Sequence, residues 1–563
     1  MDEYLWQEDY MLTDWEISRQ AQKKNILELA SQLEINQKYL TMYGEDKAKI
    51  DLKYLQDNQD KPDGKLILVT AINPTPSGEG KSTTTIGLVD SLNAVGKKAI
   101  GAIREPSLGP VFGIKGGAAG GGYSQVNPMV DLNLHFTGDL HAITTANNLI
   151  SAIIDNHIYH GNALNIDPEK IVWKRCLDLN DRALRKVMVG LDSKKETPRY
   201  DSFNITVASE IMAILCLATS IEDLRNRLDN TLVAYTKDNK PIFIKDLQIT
   251  GSLLVLLKDA IKPNIVQTLE NNLMLVHGGP FANIAHGCNS LLATKMALKM
   301  ADYVVTEAGF GADLGAEKFL DIKCQVGSLK PNLVVLVSTI RALKYHGGMK
   351  LEELKNESLD YLQKGIENLE KHIETIQLFG LKCVVAVNRF ASDTDDEINF
   401  IRSWAKSKNI KIALSEVFSQ GSQGGLELAK TVLEEISSQE YKPLYSKDED
   451  LFEKITRICK QVYGAKNVIY SEQALADLTK YNNSEYKNFY ICMAKTPNSL
   501  SDNPKLIGRP RDFDITIREI RIATGAQFII CLTGSIMTMP GLPKEPLALK
   551  IDLDENYEVI GLS

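Results

Sequence analysis

The stretch that decides the fold is LILVTAI at residues 66–72, which is followed directly by NPTPSGEGKSTTT at residues 73–85. The first part is a short, continuously apolar run, and such runs are typical of strands buried inside a parallel sheet. The second part begins with a turn and predicts a helix from about residue 82 to residue 95. A second strand-like run at residues 99–103 completes a strand–helix–strand unit of the doubly wound kind.

The turn carries a nucleotide-binding pattern. Gly80-Lys81-Ser82 matches the end of GxxxxGK[ST], although Thr75 stands where the first glycine is expected. Glycines in such a loop let backbone N–H groups face phosphates, and the start of the helix adds partial positive charge. The pattern puts Lys81 against the β- and γ-phosphates of ATP and the Ser82 hydroxyl on the Mg²⁺ of MgATP. We therefore expect ATP to be bound by eight consecutive residues: Thr75, Pro76, Ser77, Gly78, Glu79, Gly80, Lys81 and Ser82.

One alternative to this nucleotide site is a helix N-cap that is merely rich in Ser and Thr. Among nucleotides, guanine fits less well than adenine. The nearest match to a guanine-reading NKxD motif is NRFA at residues 388–391, and it lacks the aspartate.

Composition narrows the class of protein. The 563 residues carry 64 basic and 72 acidic side chains, for a formal net charge of −8, and 44% of them are hydrophobic. These values exclude wholesale disorder and argue against a general affinity for nucleic acid, because no net basic field exists. The chain opens with the acidic string MDEYLWQEDY, its apolar runs are too short to span a membrane, and its eight cysteines are scattered. We expect reduced cysteines, a cytoplasmic location and no membrane partner.

Further strand-like runs alternate with helical stretches along most of the chain. This alternation predicts an α/β protein with a P-loop NTPase-like, doubly wound and mostly parallel sheet in a large N-terminal domain, followed by two smaller α/β domains. Polar stretches suggest domains at 1–310, 311–440 and 441–563. Residues 1–65 are predicted to be helical, and the longest helix is predicted at 351–378. The strands are predicted at 303–306, 333–338, 383–388, 410–414, 489–493 and 528–532.

A glycine-rich segment follows the second strand. Residues 101–122 contain eight of the 38 glycines of the chain. A flexible linker is one interpretation, but the segment also carries Arg104, Glu105, Phe112 and Lys115, with Tyr123 directly after it, which favours backbone lying close to a ligand. If the strand before Arg104 adjoins the strand before the nucleotide loop, Arg104 faces the γ-phosphate and clamps the transition state. A surface ion pair with Glu105 is the alternative.

Seven strings together resemble one known family, the formate–tetrahydrofolate ligases in their single-activity form. The resemblance covers nearly the whole chain after the first eleven residues. It implies ATP-dependent ligation of formate to tetrahydrofolate, giving 10-formyltetrahydrofolate, ADP and phosphate through formyl phosphate, in one-carbon metabolism. The strings are TPSGEGKST at 75–83, REPSLGP at 104–110, FGIKGGAAGGGY at 112–123, NLHFTGD at 133–139, VHGGPFANIAHG at 276–287, TEAGFGADLGAEKF at 306–319 and STIRALKYHGG at 338–348.

The resemblance also implies roles for single residues. Lys81 and Arg104 are the expected catalytic residues, because formate and formyl phosphate are anions that need a cationic site closed to water. Arg104 is expected to hold formyl phosphate in a pocket that Tyr123, His135 and His286 line. Five of the eight histidines lie in or beside the seven strings, and for each a structural hydrogen bond is the alternative. These five are His135, His141, His277, His286 and His346.

The expected folate site uses aromatic side chains. The resemblance implies that Phe390 and Phe418 stack on the pterin, with Asp139 as a further contact, and that Phe418 replaces a tryptophan frequent in relatives. The alternative is that both phenylalanines belong to the core. The resemblance further implies a homotetramer and a monovalent cation, potassium or ammonium. Such a cation takes oxygen ligands, and Glu105 beside Arg104 is a candidate. The segment 1–310 is expected to bind nucleotide and formyl phosphate, and the segment 311–440 to contribute to the folate site.

Three other functions compete with this hypothesis. The first is a P-loop ATPase switch that acts through a protein partner, and the second is a catalytically inactive nucleotide-binding scaffold. Arg104 and the glycine-rich segment count against both, because neither class needs a second anion site. The third is a ligase that activates another small carboxylate by the same acyl phosphate route.

Overall fold

A twelve-stranded sheet forms the centre of the protein. The computed structural model describes residues 12–76, 78–113, 119–192, 196–437, 440–534 and 536–562. Ser77 of the nucleotide loop and Lys115 lie outside the described residues. The strands of the large sheet are β1 Leu40–Met42, β2 Ala48–Ile50, β3 Lys65–Ala71, β4 Ala99–Ile103, β5 Gly120–Gly121, β6 Ser124–Asn127, β7 Asn264–Thr268, β8 Leu273–Val276, β9 Tyr303–Glu307, β10 Pro331–Ser338, β11 Cys383–Asn388 and β12 Lys411–Ser415.

The strand order is β1-β2-β7-β8-β4-β9-β3-β10-β11-β12, and the short strand β6 pairs with β7 and β5. Seven strands that follow one another in this order are parallel: β8, β4, β9, β3, β10, β11 and β12. The strands β1, β2, β5, β6 and β7 form antiparallel pairs. The prediction of a mostly parallel α/β sheet is confirmed. Because the carboxyl ends of parallel strands meet at one edge, the loops after β3, β4, β9, β10, β11 and β12 lie together.

One expected neighbour relation is wrong. Strand β4, which leads to Arg104, does not adjoin β3, which leads to the nucleotide loop. Strand β9 lies between them, and Val305 pairs with Ile67 on one side and with Gly101 on the other. The carboxyl end of β9 therefore contributes to the same part of the site.

The apolar run of β3 is continuous because both faces of the sheet are covered. Leu66 and Leu68 belong to one hydrophobic core, and Ile67 and Val69 belong to another core on the opposite face. The helix Lys81–Ala94 packs in the second core. Burial on both faces removes the polar alternation of a half-exposed strand, which is the pattern that predicted this element.

The segment 311–440 extends the same sheet as the segment before it. Strand β10 pairs with β3 along most of its length, and β11 and β12 follow β10 in order. The boundary suggested near residue 310 therefore falls within one sheet with shared cores. The strands predicted from the sequence agree with the observed strands to within two residues at each end.

Two local predictions are wrong. Residues 12–65 are not only helical, because β1 and β2 form a hairpin that joins the sheet through β7. The long helix begins at Leu359 rather than at residue 351, where a single short turn precedes it. In the first case, strand pairing overrides the apolar periodicity. In the second case, the Ser358 side chain caps the long helix and sets its first residue.

Smaller sheets complete the molecule. In the segment 441–563, the strands are Asn467–Tyr470, Tyr490–Ala494, Asp514–Ile517, Glu519–Ala523, Phe528–Leu532, Asp552–Leu553 and Val559–Ile560. Between β6 and β7 lie Ile166–Ile171, Arg175–Leu177, Val187–Val189, Arg199–Asp201, Phe203–Ile205, Leu232–Thr236 and Pro241–Phe243. The boundary near residue 440 stays a prediction.

The longer helices flank these sheets. Those of at least eight residues are Lys81–Ala94, Asp139–Tyr159, Glu210–Leu217, Ile221–Asp229, Thr250–Leu257, Leu291–Met300, Leu359–Leu378, Asp395–Ser407, Leu426–Glu435 and Glu472–Asn482. Shorter ones are Asp14–Gln20, Ile26–Gln32, Lys53–Asp57, Leu108–Phe112, Met129–Asn133, Gln325–Gly327, Ile340–His346, Val417–Gln420 and Leu451–Arg457. Within the described parts of the chain, no helix combines the length and the apolar character that crossing a membrane requires.

Candidate active site

The nucleotide loop ends in a left-handed glycine. Gly78 has a φ of 77° and Gly80 a φ of 74°, a region that other residues rarely adopt. A Cβ on Gly80 would also lie only 2.4 Å from the Asn388 Nδ2 atom. Gly80 precedes the helix Lys81–Ala94, and within the described part of the loop it makes no side-chain cap hydrogen bond to the first turn. The residue at the N-cap position is thus a glycine rather than a Ser or Thr, and the N-terminus of a helix carries partial positive charge that suits an anion.

Glu79 holds the loop in shape. The Thr75 N–H and hydroxyl both donate to Glu79 Oε1, at 2.7 and 3.0 Å. The Thr339 hydroxyl donates to Glu79 Oε2 at 2.6 Å, and Asn388 Nδ2 donates to the Glu79 carbonyl at 3.2 Å. Thr75, which stands where the usual pattern has a glycine, therefore has a structural role in holding the loop. Both carboxylate oxygens of Glu79 are used within the protein fold.

Ser82 and Arg104 meet at a carboxylate that the sequence analysis did not single out. The Ser82 hydroxyl donates to Glu307 Oε2 at 2.7 Å, and Arg104 Nε and Nη2 each lie 3.4 Å from Glu307 Oε1. Glu307 is the last residue of β9 and is 1% exposed. The ion pair expected as an alternative between Arg104 and Glu105 is wrong, because Arg104 pairs with Glu307. An acidic residue ending an apolar strand was the available signal.

The other edge of the Arg104 guanidinium faces small residues. A Cβ added to Gly309 would lie 2.9 Å from Arg104 Nη1, 3.0 Å from the Ala282 Cβ and 3.2 Å from the Gly287 carbonyl oxygen. Glycine at position 309 therefore allows the guanidinium, whose side chain is 24% exposed, to pack closely against this loop. The buried Lys318 Nζ donates to the Ala282 carbonyl at 2.5 Å and holds that loop in place. We call the partly exposed place beside Arg104 Nη1 and Gly309, at the end of β4, the recess.

The backbone of the segment that ends at Tyr123 is in direct contact with the backbone of Phe418. The Tyr123 N–H donates to the Phe418 carbonyl at 2.8 Å. A Cβ on Gly122 would lie 2.0 Å from that carbonyl oxygen, and one on Gly121 would lie 3.1 Å from the Phe418 ring. This close packing contradicts a flexible linker over residues 119–123. Phe418 is 46% exposed and Tyr123 47%, so Phe418 is not a core residue.

Phe390 lies on the neighbouring loop. Strands β11 and β12 pair in parallel up to Asn388 and Ser415, and Phe390 and Phe418 follow these two strand ends. Phe390 is half-buried, and the Arg341 guanidinium carbon lies 4.1 Å from its ring centroid. The two aromatic side chains thus leave adjacent strands at the same sheet edge as the nucleotide loop.

Asp139 is an internal charge. It is buried, Lys49 Nζ lies 2.7 Å from its Oδ1 atom, and Asn264 Nδ2 donates to Oδ2 at 2.8 Å. Because both oxygens are used inside the protein, this position does not favour a contact with folate.

Glu105 is also buried, and its Oε2 atom has no hydrogen-bond partner among the described residues. Burial, together with the nearby Asp139 carboxylate, raises the pKa of Glu105 well above its usual range.

The histidines divide into two groups. His135 and His141 are exposed, whereas His277, His286 and His346 are buried. His277 bonds to the Ser290 hydroxyl and to the Ala260 carbonyl, and His346 bonds to the Asn73 carbonyl. The structural alternative therefore holds for His277 and His346.

His286 lies inside the protein, where its ring meets the edge of Phe528 at 6.2 Å. Neither ring nitrogen has a hydrogen-bond partner among the described residues. Burial, with Lys323 and Arg227 nearby, lowers the pKa of His286 well below its usual value and keeps the ring neutral. The structure therefore does not bring His286 and the exposed His135 together at an open pocket.

A comparison with known protein families identifies the chain. A family model described as formate–tetrahydrofolate ligase matches residues 12–563. The chain belongs to the formate–tetrahydrofolate ligase family. It is a ligase of one-carbon metabolism, and membership implies ATP-dependent joining of formate to tetrahydrofolate. The match begins where the resemblance begins, after the first eleven residues, and it gives no support to a switch ATPase. Within this family, the residues around Lys81, Arg104 and Glu307 are the candidate site for the chemistry.

Proposed function

We propose that the chain makes 10-formyltetrahydrofolate in two steps through formyl phosphate. A formate oxygen attacks the γ-phosphorus of ATP, ADP leaves, and a mixed anhydride forms. N10 of tetrahydrofolate then attacks the formyl carbon, the bond to the phosphate oxygen breaks, and N10 loses its proton. The convergence of Ser82, Arg104 and Glu307 at three adjacent strand ends supports this proposal most strongly.

The protein contributes charge and position to the first step. Lys81, the first residue of its helix, binds the β- and γ-phosphates, while Ser82 contributes to a Mg²⁺ site. Mg²⁺, when bound, neutralises charge on the phosphate oxygens. The Nη1 edge of Arg104, which lies beside Gly309, holds formate and then formyl phosphate. This arrangement resembles a P-loop site and concentrates positive charge where negative charge develops.

The pterin of tetrahydrofolate stacks between Phe390 and Phe418. Phe390 follows β11 and Phe418 follows β12, the two parallel strands beyond β10, so the folate lies along the same sheet edge as the nucleotide loop. Stacking on each face contributes on the order of 1 kcal/mol. Tyr123, whose N–H donates to the Phe418 carbonyl, lies next to this stacking site.

The remaining parts of the proposal rest on the family. A monovalent cation near Glu105 suits a buried carboxylate oxygen that has no hydrogen-bond partner among the described residues. We also propose a homotetramer and a cytoplasmic location. A contribution of the segment 311–440 to the folate site agrees with the positions of Phe390 and Phe418.

Consumption of MgATP by the purified protein tests the proposed function. Formate and tetrahydrofolate are supplied singly and together, and the one-carbon product is read after acidification as the methenyl absorbance. We expect ADP and product to appear together only when both substrates are present. ATP turnover that does not depend on formate would contradict the proposal. Acetate in place of formate tests whether the recess at Gly309 excludes a larger carboxylate.

A further inference from the structure

Glu307 is a buried carboxylate whose two oxygens face two different groups of the site. Its Oε2 atom accepts the hydrogen bond of the Ser82 hydroxyl, and its Oε1 atom faces the Nε and Nη2 atoms of Arg104. It ends the strand that lies between β3 and β4. A buried charge is costly unless it is paired, so this position points to a specific use of the carboxylate.

The bond from Ser82 leaves the metal-binding capacity of that hydroxyl free. A hydroxyl has one donor hydrogen and two acceptor lone pairs. When the hydrogen points to Glu307, the lone pairs stay able to bind a metal, and Ser82 itself lies in the first turn of the helix Lys81–Ala94, where phosphates are expected. Mg²⁺ in such sites takes one or two protein oxygens together with phosphate oxygens and waters.

Glu307 is better placed for this use than the other carboxylate of the loop. Both oxygens of Glu79 accept hydrogen bonds, from Thr75 and from Thr339, and these bonds hold the loop together. By contrast, the contacts of Glu307 with Arg104 are 3.4 Å long, well beyond the 2.7–2.9 Å typical of a close charge-assisted hydrogen bond. The Arg104 guanidinium is therefore held loosely enough to turn toward an anion.

We propose that Glu307 is a positioning residue that couples the divalent cation of the nucleotide to Arg104. On one side it orients the Ser82 hydroxyl and the hydrated Mg²⁺, and on the other it keeps the Nη1 edge of Arg104 directed at the recess beside Gly309. This inference rests on the proposed function for the identity of the substrates. It adds that metal binding and formate binding are linked through one carboxylate.

The test compares ADP binding with and without Mg²⁺ by calorimetry, in the wild-type protein and in Glu307→Gln. We expect Mg²⁺ to tighten ADP binding in the wild type, and this enhancement to fall about tenfold in the variant. Metal-free ADP binding should change by less than about threefold, because the glutamine amide oxygen still accepts the Ser82 bond. Unchanged Mg²⁺ enhancement in Glu307→Gln would overturn the proposal.

Glu210→Gln is the matched control. Glu210 is also a buried carboxylate, which accepts the N–H groups of Gly525 and Ala526, and it lies outside the site. We expect its Mg²⁺ enhancement to equal that of the wild type. If both variants lose the enhancement equally, the effect of Glu307 is one of general stability and the proposal fails.

A second pair of variants keeps the test decisive. In Ser82→Ala combined with Glu307→Gln, the loss of Mg²⁺ enhancement should be no larger than in the more affected single variant, because both act on one metal shell. Additive losses would contradict a shared role.

If Glu307→Gln does not fold, Glu307→Asp retains the charge and should raise the Mg²⁺ concentration needed for half-maximal ADP binding several-fold. No change in Glu307→Asp would then overturn the proposal.

The link to Arg104 has its own readout. We expect Glu307→Gln to raise the KM for formate by about tenfold, with a smaller change in the KM for ATP at saturating Mg²⁺. An unchanged KM for formate would remove the link to Arg104.

The binding experiments measure ADP and Mg²⁺ binding without turnover, so they test the role of Glu307 separately from the proposed function. If the wild type makes no 10-formyltetrahydrofolate while Mg²⁺ enhancement still depends on Glu307, the proposed function fails and the metal role stands.

Discussion

The two ends of the candidate site are built differently. The phosphate end uses buried carboxylates that pair with groups of the protein, as in Glu79 and Glu307, which are both less than 3% exposed. The folate end uses ring surfaces that stay open, with Phe418 46% exposed. A charge on a developing transition state gains most from fixed dipoles in a dry site. A flat heterocycle needs only an open surface of the right shape, so the second end tolerates more variation.

The first prediction concerns the phosphate end and has the largest expected effect. Arg104→Ala should lower kcat by about 10³-fold, on the order of 4 kcal/mol of transition-state stabilisation. It should also destabilise the fold, because Glu307 loses its buried partner. Steady-state kinetics together with urea unfolding measure the two effects. Near-normal kcat would contradict the assigned role of Arg104.

A double variant separates catalysis from folding at this position. Arg104→Ala combined with Glu307→Gln removes both charges of the pair, so the free energy of unfolding should recover much of what the single variant loses. Activity should not recover, because the anion has no partner. Recovery of both would mean that Arg104 acts only on stability.

The second prediction concerns the recess beside Arg104. Gly309→Ala puts a methyl group 2.9 Å from Arg104 Nη1 and 3.0 Å from the Ala282 Cβ. The KM for formate should rise by about tenfold or more, with a smaller effect on the KM for tetrahydrofolate. Gly251→Ala is the control, since a Cβ there meets no atom within 4 Å. Equal effects of both changes on formate would show that the recess is not the formate site.

The third prediction concerns the folate end, where effects should be smaller. Phe418→Ala removes one stacking face and should raise the KM for tetrahydrofolate by about five- to tenfold, in line with roughly 1 kcal/mol per face. The KM for ATP should stay nearly unchanged. Phe418→Trp should act in the opposite direction, because an indole offers more area. Equal shifts for ATP and tetrahydrofolate in Phe418→Ala would remove this residue from the pterin slot.

The sequence could predict the parts of the fold and of the site that leave a local pattern, but not the parts that depend on how distant segments pack. The parallel strands were predictable because burial on both faces leaves continuous apolar runs, as in β3 and β11. The loop after β3 was predictable because glycine, lysine and serine occur at fixed spacing. Glu307 was predictable only in part: an acidic residue that ends an apolar strand is a local signal, but its role depends on β9 lying between β3 and β4, a pairing that the local sequence does not show. His286 stands in a motif-like string, yet packing turns it into the protein.

The last prediction concerns a buried charge in the helix that follows the nucleotide loop, and it should change stability rather than activity. The Asp90 Oδ1 atom accepts hydrogen bonds from the Thr268 hydroxyl at 2.6 Å and from Asn272 Nδ2 at 2.7 Å, while Oδ2 has no hydrogen-bond partner among the described residues. Burial raises the pKa of Asp90 to about 8. The folded protein therefore keeps this proton in a range where the unfolded chain has lost it, so stability falls as the pH rises from about 4 to 8.

Asp90→Asn should remove this dependence, since the amide oxygen can keep both hydrogen bonds and no charge needs to form. Relative to the wild type, the free energy of unfolding of the variant should increase with pH, by on the order of 1 kcal/mol per pH unit between pH 5 and 8. Urea unfolding at pH 5.5 and 8.5 measures the difference, and turnover at pH 7 should be nearly unchanged. A constant difference between the two pH values would mean that Asp90 is ionised throughout. The hydrogen bonds from Thr268 and Asn272 would then be enough to hold a charged Asp90 inside the protein.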